Sequence, residues 1–181
     1  MNNYINLSHN INGEIMYIFN SFIIYSILGY LFEIIGSLLL GNSLNSGFMY
    51  GPYTPIYGIT IMLLFSLFDK FRFIKPNLKK YIIMLFSSFI IITFLELFGG
   101  ELIKILYHKE LWNYSKLPLS LNKYISLEVS LFWSIGIILI YKYLKPITDK
   151  WSKKIPKYLT LIILLIMFID FIITNINLIK I

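Results

Sequence analysis

YIIMLFSSFIIITFLELFGGELIKILY, residues Tyr81 to Tyr107, decides the fold class. A helix that crosses the hydrocarbon core of a bilayer needs about 20 consecutive, mostly apolar residues. This run exceeds that length, and its first charge, Glu96, comes after fifteen residues. Four further apolar stretches lie at Ile15–Leu40, Pro55–Phe68, Ile125–Leu144 and Tyr158–Ile179. The reading is an all-α, polytopic transmembrane helix bundle of about five spans, forming a single transmembrane domain over residues 1–181. The second span is the short one. Pro52 and Pro55 break its entry, so it reads as a half-helix or as a span preceded by a Gly/Pro-broken segment.

Composition agrees. Of 181 residues, 57% are hydrophobic and 14% charged, with a mean hydropathy of +0.73. Soluble domains carry about 25% charged residues, and a chain this short buries only about 70% of the surface it exposes when unfolded. Lipid is the matching solvent. The absence of Ala, Gln and Cys, with a single Val, reads as AT-rich coding rather than function. Without Cys there are no disulfides and no thiolate metal sites. The first span is too long for a signal-peptide core, and no basic run precedes it, so it is expected to remain in the mature protein.

The net charge of +7 is explained by topology. Lys70, Arg72, Lys75, Lys79 and Lys80 follow span two. Lys142, Lys145, Lys150, Lys153, Lys154 and Lys157 follow span four. Together they place eleven cations on one side, against the five of Lys104, Lys109, Lys116, Lys123 and Lys180 on the other. Cytoplasmic loops hold the excess of Lys and Arg. The expected location is a bacterial cell membrane, multi-pass, with the N-terminus cytoplasmic. The basic loops are short and flank spans, which argues against nucleic-acid binding.

With that topology five acids fall in the outer half of the membrane or at its outer edge: Glu33, Glu96, Glu101, Glu128 and Asp170. Ionisable groups inside spans are costly and mark candidate substrate paths. A carboxyl buried in low dielectric has a raised pKa, which suits a proton relay or a structural hydrogen bond equally. Helical spacing puts Ser26, Gly29, Glu33, Gly36 and Ser37 on one face, where small residues allow close helix approach. Asp170, Thr174 and Asn177 share a face of span five. Thr93, Glu96 and Gly100 share one face of span three, and Glu101, Lys104 and His108 another. The plainer readings are that Glu101 pairs with Lys104 or His108, that Glu128 is a solvated helix-start acid, and that Glu33, Glu96 and Asp170 make interhelical hydrogen bonds.

The most distinctive stretch is Gly47-Phe48-Met49-Tyr50-Gly51-Pro52-Tyr53-Thr54-Pro55-Ile56-Tyr57-Gly58. Its glycines permit unusual backbone angles and its prolines remove donors, so it is not helical throughout. It either lies at membrane depth, buried in protein or lining a wet cavity, or forms an interfacial turn with its tyrosines in the aromatic belt. Trp112, Asn113 and Tyr114 sit in the loop after span three, where the two rings read as interface anchors. The sequence contains no Gly-x-x-x-x-Gly-Lys-Ser/Thr loop and no His-Glu-x-x-His, and His9 and His108 are its only histidines. No catalytic residue, metal site or cofactor is expected.

Residues Ser46 to Gly58 resemble the signature of the CmpB-like ABC-transporter permease family of bacterial multi-spanning membrane proteins, Asn-Arg-Gly-Phe-Leu-Tyr-Gly-Pro-x-x-Pro-Ile-Tyr-Gly. The likeness makes Gly47, Tyr50, Gly51, Pro52, Pro55, Tyr57 and Gly58 the signature positions. It continues through Glu33, Leu95-Glu96, Trp112-Asn113-Tyr114-Ser115, Leu121-Asn122, Ser130-Leu131-Phe132-Trp133 and Lys145-Pro146, over roughly residues 15–150. Ser46, Asn113 and Lys145 stand where the family has Arg, Asp and His, so the charge carried by the first two is absent here. The resemblance implies a transport permease subunit of unspecified substrate, embedded in membrane lipid, with a separate ATPase subunit and a homo-oligomer or other partner to complete a path. Two alternatives stay open. One is a membrane-embedded enzyme acting on a lipid or polyprenyl substrate through Glu33, Glu96 or Asp170. The other is a non-catalytic membrane scaffold or regulator.

Overall fold

The computed structural model describes residues 2–39, 48–75 and 77–179, with side chains from Gly13 to Leu178 among them. Gly47 and Ser46 of the signature run lie outside the described residues. The elements are α1 (Asn2–Leu39), α2 (Pro55–Lys70), a 3-10 turn (Phe71–Phe73), α3 (Leu78–Tyr107), β1 (Ser120–Asn122), β2 (Ile125–Ser126), α4 (Leu127–Leu139), a π-helical turn (Ile140–Leu144), α5 (Lys145–Ser152) and α6 (Lys157–Ile179). Among the described residues, four stretches are long and apolar enough to cross a membrane: Gly13–Leu39, Leu78–Tyr107, Leu127–Ser152 and Lys157–Leu178. The second expected span is α2, with only 16 residues, about 24 Å of helix. It follows a non-helical segment, as its prolines require.

The outward faces of these helices are apolar. Along α3, Phe86, Ile90, Phe94 and Phe98 recur at four-residue steps and are each more than half exposed. On α6, Leu161, Leu165 and Phe168 form a similar stripe. Soluble proteins do not leave such continuous apolar stripes in water. Here they face lipid.

The chain forms two compact units, residues 1–62 with 145–177, and residues 63–144 with 178–181. In the first, α1 packs on α5, and the segment Phe48–Thr54 lies over Ile23 and Met167 through Tyr53. Close approach to α2 depends on glycine. A Cβ at Gly29 would collide with the Tyr57 side chain, and one at Gly58 would meet the Phe22 carbonyl oxygen at 2.7 Å. The small-residue face read from span one therefore does pack, at Ser26 and Gly29. Gly36, further along it, has nothing within 4 Å.

In the second unit α3 pairs with α4. Asn77 caps α3 by accepting the Lys80 N–H at 3.1 Å, which places the start three residues before the expected Tyr81. His108 ends the helix in the left-handed conformation, φ 54°, its N–H bonded to the Lys104 carbonyl at 3.0 Å. The tail of α2 sets Phe65 and Phe68 edge-on to Tyr141, whose hydroxyl donates to Asp69 at 2.8 Å. The loop before span four contains an antiparallel hairpin, β1–β2, that was not expected from the sequence. Helix also continues past the expected end at Leu144, through Lys145-Pro146. Pro146 has no N–H to give and its ring crowds the preceding turn, and the π-helical turn just before it widens the spiral at that point.

Candidate functional site

Asp170 organises the Gly/Pro segment. It stands thirteen residues into α6, about 20 Å from the start of a 23-residue helix, and is therefore within the span. Its Oδ1 accepts the Tyr50 N–H at 3.2 Å and the Thr174 hydroxyl at 3.1 Å. Its Oδ2 accepts the Gly51 N–H at 2.8 Å and the Tyr53 hydroxyl at 2.6 Å. Asn177, two turns further on, donates to the Tyr50 hydroxyl at 3.1 Å. The face Asp170–Thr174–Asn177 read from spacing is thus the face that holds the segment. Four donors on one carboxylate is the satisfaction that a charge away from water requires.

The segment's exit is tied at a second point. The Thr54 N–H donates to the Ser26 carbonyl at 2.9 Å. Ser26 is the central residue of the span Gly13–Leu39, so α2 begins beside the middle of α1. From Tyr57 against Gly29 to Gly58 against Phe22, it proceeds towards the N-terminal end of α1. Pro55 opens α2, where its missing N–H costs nothing. Non-helical backbone thus lies beside the middle of α1, with the N–H groups of Tyr50, Gly51, Tyr53 and Thr54 met by protein. Tyr53 and Thr54 are buried and Gly51 is half-buried. Tyr50 and Pro52 remain exposed.

Glu96 is the focus of the second unit. Its carboxylate accepts the Ser130 hydroxyl at 3.0 Å and the Tyr114 hydroxyl at 3.3 Å. One turn on, Gly100 admits the Tyr124 ring, which a Cβ would strike. Trp112 donates its indole N–H to the Tyr124 carbonyl at 3.3 Å. Trp112 and Tyr114 are therefore half-buried packing and bonding residues. Asn113 folds its turn by accepting the Ser115 N–H and hydroxyl at 2.9 and 2.6 Å. Outside the spans, Glu110 pairs with Lys123. The Lys123 ammonium draws the Glu110 carboxyl below its ordinary range, and Glu110 raises Lys123 in turn.

Glu33 is half-exposed on α1, Glu101 is exposed on α3, and Glu128 lies in the first turn of α4, where a carboxylate complements the helix dipole. Among the described residues, no three His, Asp or Glu converge as a metal site.

Sequence reasoning missed a second polar cluster in the first unit. Asn20, 1% exposed, donates to the Ser152 carbonyl at 2.7 Å and accepts from Thr160. Ser21 bonds Ser152 at 2.9 Å, Tyr25 bonds Thr148, and Tyr17 donates to Asp149 at 2.7 Å. The available signals were one Asn inside an apolar span and the four-residue step from Thr148 to Ser152. Neither named its partner.

The apolar outward stripes, the long apolar helices and the half-buried, internally bonded carboxylates define a multi-pass α-helical membrane protein. A family model described as "Putative ABC-transporter type IV" matches residues 20–175, and the chain belongs to this family. No curated protein and no solved structure matches it.

Proposed function

We propose that the chain is the membrane-spanning permease subunit of a transporter whose ATPase is a separate chain. The observation that carries this reading is the Gly/Pro segment held at span depth by Asp170 in a member of an ABC-transporter family. Transporters build substrate sites from broken helices near the bilayer midplane, where unwound backbone lines a path. Asp170 fixes the break, and Glu96 is a second intramembrane carboxyl with hydroxyl partners. In this reading the N-terminus is cytoplasmic and Glu33, Glu96, Glu101, Glu128 and Asp170 weight the outer half. A second copy or another membrane subunit completes the path, because five helices are few to enclose one. The energy source is external, since the sequence has no phosphate-binding loop.

The test is affinity purification of the full chain from its native membrane, followed by ATP hydrolysis in proteoliposomes. An ATPase is expected to co-purify in fixed ratio, and Asp170→Asn and Glu96→Gln are expected to lower hydrolysis coupled to transport while complex assembly persists. Recovery of the chain without any ATPase overturns the proposal. Full activity of both variants supports a scaffold instead, in which the two carboxylates hold helices and the broken segment together.

A further inference from the structure

A cavity of about 540 Å³ opens between the start of span one and the turn joining α5 to α6. Glu14, Met16, Tyr17, Asn20, Ser152 and Lys153 line it. All of these lie at or near the ends of spans. Asn20, its deepest marker, is seven residues from Gly13, about 10 Å along the helix. The cavity is therefore at the level of lipid headgroups and well away from the Asp170 site along α6.

Its walls are fixed. Asn20 is held by Ser152 and Thr160, and Ser21 by Ser152. The α5–α6 turn beside it is basic. Asp149 is engaged by Lys145 at 2.9 Å and by the Tyr17 hydroxyl at 2.7 Å. That leaves Glu14 as the one acid lining the cavity, against Lys153 in the wall and the exposed Lys150, Lys154 and Lys157 beside it. The Lys153 ammonium lies 5.9 Å from the centre of the Tyr17 ring, over the mouth. Exposed apolar side chains stand on the same elements: Ile18 and Phe19 on α1, Trp151 on α5 and Leu159 on α6. Basic pockets between spans, next to lipid-facing apolar surface, suit anionic headgroups.

We infer that this cavity binds the phosphate-bearing headgroup of an anionic phospholipid, with Lys153 on the phosphate. A membrane lipid is the source because the cavity lies at the ends of spans, where bilayer headgroups are concentrated.

The test uses the full chain in detergent, titrated with phosphatidylglycerol or phosphatidylcholine and followed by native mass spectrometry. Phosphatidylglycerol is expected to bind one site preferentially. Lys153→Ala is expected to weaken it about fivefold, the worth of one cation near a lipid surface. Met16→Trp, which fills the cavity without changing charge, is expected to weaken it as well. Lys116→Ala, on another loop, is the control and should have no effect. Equal binding of the two lipids, equal loss from Lys116→Ala, or competition by millimolar inorganic phosphate would each overturn the inference. This outcome is independent of any ATPase, so it stands or falls apart from the permease reading.

Discussion

Replacing Asp170 tests how the broken segment is held at depth. The carboxylate takes four donors, two from backbone N–H groups that have moved out of helical geometry. Asparagine keeps the shape and one oxygen. With that oxygen towards Gly51 and Tyr53, the amide faces the Tyr50 N–H as donor to donor, and Thr174 can turn to accept. One charge-assisted bond is lost and two are weakened, about 2 kcal/mol in all. Alanine removes the acceptors for both inner donors, Gly51 N–H and Tyr53 hydroxyl, and is expected to cost roughly 4 kcal/mol. For a chain of this size each kcal/mol corresponds to about 2–4 °C. Thermal unfolding in detergent should therefore fall by about 4–8 °C for Asp170→Asn and about twice that for Asp170→Ala. Hydrogen exchange at Tyr50 and Gly51 should accelerate in both. Tyr53→Phe removes one of the donors, so combining it with Asp170→Asn should cost less than the two separate losses together. Unchanged melting with unchanged exchange at Gly51 would refute the reasoning, because it would mean that the carboxylate does not carry the segment.

Two further outcomes follow from the packing and the charges. Gly100→Val sets a branched side chain against the Tyr124 ring, where even a Cβ falls at 2.5–3.0 Å from its atoms, and overpacking of about 1–3 kcal/mol is expected in the thermal unfolding midpoint. Gly36→Ala, in open space, should leave that midpoint unchanged. The Glu110–Lys123 pair should hold the loop in a defined pH window. Glu110 titrates lower when folded, so its contribution is complete above its ordinary value of 4.5 and is lost as pH falls through the depressed folded value. Lys123 titrates higher when folded, so its contribution is complete below its ordinary 10.5 and is lost as pH rises through the raised value. Protection from exchange at Tyr114, whose N–H donates to the Lys123 carbonyl, relative to the intrinsic rate at each pH, should fall on acidification in the native chain and stay flat in Glu110→Gln.

Span positions were legible because lipid imposes a length and a polarity on every crossing, and both are local properties of sequence. α3, α4 and α6 start within three residues of the expected points. The shortness of α2 and the break before it were also local, written in Pro52 and Pro55. Which acid served that break was not. Asp170 lies more than a hundred residues from Tyr50, and its spacing to Thr174 and Asn177 showed a polar face without showing what the face would meet. The same holds for Glu96. The sequence showed an acid inside span three without its partners, which the structure shows to be the Tyr114 and Ser130 hydroxyls.

By itself, then, the sequence determined a helical membrane protein, its spans, its distinctive Gly/Pro segment and its family likeness, since each of these depends on neighbours in the chain. Only the tertiary structure decided that Asp170 clamps the segment, that α2 starts beside the middle of α1, that Tyr114 turns in to Glu96, and that Asn20 ties span one to the α5–α6 turn. Those pairings depend on helix rotation and depth. Apolar surface is alike on every side in lipid, so they are set by a few hydrogen bonds between residues far apart in sequence.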